Sequence, residues 1–83
     1  MIYLIMCRSL TYAQRSSRLL ERSGITATVM KAPQSVSGNG CGYSVAVPYK
    51  RGSKAVGLLR EADLLQGRVY VRSDDGELRE VNV

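Results

Sequence analysis

The 83-residue chain predicts an α+β domain, one sheet packed by two helices in the order βαββαβ, with a further strand closing a C-terminal hairpin. Three observations lead there. Short apolar stretches with a period of two recur along the chain, two segments carry apolar residues at helical spacing, and glycine, proline or Asp-Gly signals fall between them.

Ile2 to Met6 form the first strand, apolar on both faces because Ile2, Leu4 and Met6 alternate with Tyr3, Ile5 and Cys7. Ser9 or Thr11 then offers an N-cap, with Thr11 and Gln14 at capping-box spacing. Leu10, Ala13, Ser17 and Leu20 share a helical face that Leu19 widens, and Gly24 stands where a left-handed residue would end the helix. Arg15, Arg18 and Arg22 fall on the other side and read as a solvated face. Ile25, Ala27 and Val29 alternate with Thr26, Thr28 and Met30 as a second strand, which Pro33 ends. From Pro33 to Gly42 there is no periodicity, so this is a loop; Tyr43, Val45 and Val47 then mark a third strand up to Pro48. Ala55, Leu58, Leu59 and Ala62 give a second amphipathic helix, and Val69 with Val71 a fourth strand. Ser73-Asp74-Asp75-Gly76 is a turn, and Glu77 to Val83 return as a charged edge strand.

This order matches the split-βαβ, ferredoxin-like plan. In such a sheet the first strand is central and antiparallel to the third, so the end of one meets the beginning of the other. Cys7 closes the first strand and Cys41 immediately precedes the third. One edge of the domain is therefore expected to gather both thiols, Arg8, Lys31 and the start of the first helix.

The composition narrows the functional classes. Twelve Lys and Arg against seven Asp and Glu give a net charge of +5, which favours solubility and attracts anions. The five Tyr are scattered rather than interleaved with clustered cations, so nucleic-acid binding is not expected. The longest apolar run, Met1 to Cys7, is far too short to span a membrane and has no basic residues before it; a cytoplasmic protein without membrane contact is expected. With two Cys and no His, neither a disulfide framework nor a metal site is expected, nor any cofactor. Without His there is no Ser-His-Asp set, and no P-loop lysine or suitably placed carboxylate pair replaces it, so a carrier or accessory protein is a better fit than a stand-alone enzyme.

The chemistry that remains is thiol chemistry. Cys41 lies in Ser37-Gly38-Asn39-Gly40-Cys41-Gly42, where little side-chain bulk shields its sulfur. A thiolate there could draw on the helix start, on the cations Arg8 and Lys31, and on backbone N–H groups of a nest formed around Ser37, Gly38, Gly40 and Gly42. Thiol exchange needs no histidine base. Cys7 has two readings, a packed core residue and a resolving or supporting thiol.

The first strand, the Ala13-centred helix closing at Leu19-Leu20-Glu21-Arg22-Ser23-Gly24-Ile25, the Pro33-x-x-Val36-Ser37 loop leading into Gly40-Cys41-Gly42, the Ala55 to Ala62 helix and Gly67-x-x-Tyr70 together resemble a family of small bacterial domains described as selenium/sulfur carrier-like. The Cys-Gly step is the most specific of these. The resemblance implies that residues 1–73 form the carrier-like domain, that 74–83 are a hairpin extension, and that Cys41 carries sulfur or selenium as a persulfide or perselenide. Donor and acceptor proteins are then the expected partners. Two other readings stand beside it: a self-associating module in which a homodimer covers the open sheet face, and a redox switch in which Cys7 and Cys41 form a disulfide once their Cα atoms come within about 7 Å.

Overall fold

The computed structural model describes residues 1–33 and 42–82. Strand β1 (Ile2–Cys7) leads to helix α1 (Leu10–Arg22), β2 (Thr28–Lys31) and β3 (Tyr43–Pro48). A single 3-10 turn (Tyr49–Arg51) then runs into α2 (Gly52–Glu61), β4 (Val69–Arg72) and β5 (Leu78–Val81). The sheet order is β2-β3-β1-β4-β5, with every neighbouring pair antiparallel. This is the expected ferredoxin-like α+β arrangement with one strand added outside β4.

Because β1 is central, both of its faces are buried. Tyr3, Ile5 and Cys7 enter the main core with Ala13 and Leu20 of α1 and Ala55, Val56 and Leu59 of α2. Leu4 and Met6 point the other way and are 0 % and 1 % exposed, surrounded by Ile2, Met30, Ala46, Tyr70 and Leu78. The centre of the face away from the helices is thus enclosed by its own strand neighbours, while its rim is partly exposed. Ser44 lies opposite both Met6 and Met30 on that face, fully buried, its hydroxyl without a hydrogen-bond partner among the described residues.

The helix ends show which local signals prevailed. Ser9, not Thr11, is the N-cap of α1: its Oγ accepts the Tyr12 N–H at 3.3 Å, while Thr11 lies inside the first turn. The buried stripe is Ala13, Ser16 and Leu20, and Leu10 is 42 % exposed because it precedes the first turn that packs on the sheet. At the other end Gly24 adopts a φ of +82°, with its N–H on the Glu21 carbonyl and the Ile25 N–H on that of Leu20. That is a Schellman closure. In α2, Val56 takes the core position that Ala62 was expected to share, and Ala62 is the exposed C-cap. Asp63 follows in the left-handed region at φ 59°, so an aspartate performs the stop that glycine performs in α1.

Gly52 starts α2 directly against the Tyr3 ring, where a Cβ would overlap the aromatic carbons. Gly52→Ala must push either the ring or the helix aside and is expected to cost about 1–3 kcal/mol. Chemical denaturation measures this, and an unchanged midpoint would contradict the packing described.

The β4–β5 turn is held by Ser73, whose hydroxyl donates to Asp75 Oδ1, and by the Glu77 N–H, which donates to the same oxygen at 3.1 Å. Gly76 has a φ of +89°. The Ser73 hydroxyl, then the Glu77 N–H, hold the Asp75 carboxyl below its ordinary value. A carboxylate with a depressed folded pKa stabilises the fold above its unfolded pKa and loses that contribution as pH falls through the folded one. The turn should therefore loosen only below about pH 4, seen as an acid-dependent change at the Glu77 amide that Ser73→Ala shifts to higher pH.

Candidate functional site

Strand register builds one edge of the sheet from three segments. Cys7, the last residue of β1, lies opposite Tyr43, the first of β3, and Tyr43 lies opposite Lys31, the last of β2. Just beyond that row the Ala32 N–H donates to the Gly42 carbonyl at 3.1 Å, tying together the two chain segments that flank residues 33–41. Cys41 itself, with Ser37, Gly38 and Gly40, lies outside the described residues. What the structure places is its neighbour Gly42, which the Ala32 bond anchors beside the end of β1.

The other expected residues fall as follows. Cys7 is fully buried in the helix-side core, its thiol directed at the Ile5 carbonyl with Sγ 3.7 Å away. Its burial fits the packing reading. Arg8 and Lys31 are both exposed at the edge, and neither forms an ion pair among the described residues. Helix α1 begins two residues after Arg8 with no acidic side chain in its first turn, so its positive end is uncompensated. Gly42 is exposed, and a methyl on it would meet none of the described residues within 4 Å.

Gln66 belongs to this edge and was not singled out from the sequence. Its Oε1 accepts the Arg8 N–H at 3.2 Å, and the neighbouring Arg68 carbonyl accepts the Met6 N–H at 3.1 Å. Together they fix the chain where it leaves β1 for α1. A polar side chain in an unpatterned stretch gives no sign of a partner 58 positions away; only the β1–β4 pairing reveals it.

The arrangement suits an anion held near the edge: exposed cations, a helix start and no carboxylate on the segments that meet there. Among the described residues no group of His, Cys, Asp and Glu could hold a metal ion, and no helix is long and apolar enough to cross a membrane.

No curated protein and no solved structure matches the chain. A family model does, over residues 2–71, which run from the start of β1 into β4 and leave β5 outside. The chain belongs to the family described as "Putative Se/S carrier protein-like".

Proposed function

We propose that the chain is a carrier or relay module of the cytoplasm, in which the Cys41 thiolate takes sulfur or selenium from a donor protein and yields it to an acceptor. Membership of the family carries this reading, since its description names the cargo and the matched span includes Cys41. For sulfur, the thiolate attacks the outer atom of a donor persulfide. A new S–S bond forms as the donor's breaks, the donor leaves as a thiolate, and Cys41 keeps the transferred atom without any external oxidant. Arg8, Lys31 and the start of α1 favour the attacking anion.

Gly42 supports the same reading. No positive φ calls for glycine there and no described residue would meet a methyl on it, which supports a missing side chain that serves the approach to Cys41. Cys7, buried beside this edge, acts as a supporting thiol whose packing holds the end of β1 in place. A second reading, self-association, is favoured by the partly buried apolar rim around Leu4 and Met6; a monomer mass unchanged over a wide concentration range would remove it.

Incubation with a low-molecular-weight persulfide followed by intact-mass measurement tests the carrier. One sulfur-sized adduct is expected on the wild-type chain and none on Cys41→Ser, with both variants equally folded. Loss of the adduct on Cys7→Ala instead, or an intramolecular disulfide in its place, would overturn the assignment in favour of the redox switch. Gly42→Val should leave stability within about 0.5 kcal/mol of wild type while slowing loading.

A further inference from the structure

The added strand carries the sheet past the reach of the helices, and a groove opens there. Helix α2 packs on α1, on the 3-10 turn and, within the sheet, on β1 and β3, so the helix side of the β4–β5 hairpin is covered only along its margin by α2. Tyr3, Val71 and Arg79 stand side by side in one row of the sheet, with Val81 in the next. The Tyr49 ring walls one side, its centroid 5.6 Å from that of Tyr3 at 49°, and the hairpin turn closes the far end, enclosing about 190 Å³. A second hollow of about 240 Å³ shares Tyr3 and Val81 and continues along the flank of α2 past Val56 and Gly57.

The charge at the cavity points to a ligand. Glu77 and Arg79, two positions apart in the hairpin, both line the cavity, and both are exposed. Neither is paired: among the described residues the ion pairs are those of the Met1 amine with Asp74 and of Arg68 with Glu80. Gly57, within α2, lines only the second hollow, and a methyl there would meet no described residue within 4 Å.

We propose that the groove binds a free α-amino acid with an aromatic side chain. The ring packs against Tyr3, Tyr49 and Val71, the carboxylate meets Arg79, and the ammonium meets Glu77. One positive and one negative side chain beside a shared aromatic wall fit a zwitterion better than a simple anion or cation. The site is separate from the loop edge, since Tyr3 precedes Cys7 by four residues of extended strand, roughly 13 Å. Glu77, Arg79 and Val81 also lie beyond the span matched by the family model.

Titration of the full chain with L-phenylalanine, 3-phenylpropionate and phenethylamine, followed residue by residue by NMR, tests this. L-Phenylalanine should give saturable shifts at Tyr49, Val71 and Val81 and bind about fivefold more tightly than either truncated analogue, the factor expected of one exposed ion pair. Arg79→Gln should reduce its affinity to that of phenethylamine, and Glu77→Gln to that of 3-phenylpropionate. Both variants should keep the wild-type melting temperature, which separates a lost contact from an unfolded chain. Equal binding of the three compounds, shifts centred on the loop edge, or no saturable shift with any of them would overturn the proposal.

Discussion

The burial of β1 on both faces is the constraint on which the rest of this domain depends. A strand with apolar side chains pointing both ways must lie inside a sheet with something packed on each side. β1 satisfies this by pairing with β3 and β4 and burying every residue from Tyr3 to Cys7. Its helix-side row sets where α2 can begin, since Gly52 must pass the Tyr3 ring. Its far end sets the loop edge, since Cys7 fixes Tyr43, which in turn fixes Lys31.

Much of this was legible in the residues themselves. The two-faced first strand, the Gly24 stop and the turn at Asp75-Gly76 are local patterns with local physical causes, and together they give the sheet order. What could not be read locally was decided by packing between distant segments. Ser9 and Thr11 both offer a hydroxyl, and only where the chain leaves β1 selects Ser9. Leu10 reads as a core residue by spacing but falls ahead of the turn that touches the sheet. The face away from the helices reads as open, yet Leu4 and Met6 are enclosed by neighbours from four other strands. Of the candidate site, the meeting of Cys7 with the start of β3 followed from topology, whereas Gln66 depended on a contact with no sequence signature.

Charge is distributed as unevenly as the chemistry. Nine of the twelve cations but only one of the seven carboxylates lie between Arg8 and Arg60, while the other six carboxylates fall from Glu61 onward, most of them around the hairpin. The segments that meet at the loop edge therefore sit in a positive field, suited to anions. The hairpin groove, with an arginine and a glutamate side by side, has little net charge of its own. One strand thus carries at its two ends surroundings of different electrostatic character, joined by a rigid core.

The single backbone bond from Ala32 to Gly42 has an evolutionary consequence. It ties the two described chain ends on either side of residues 33–41 and extends the β2–β3 pairing by one bond. The entropy of closing such a segment grows slowly, by about 0.6 kcal/mol for each doubling of length. A change in the number of residues between those two anchors is therefore inexpensive in closure entropy, and descendants of this domain can vary the length of that segment while inheriting the scaffold unchanged.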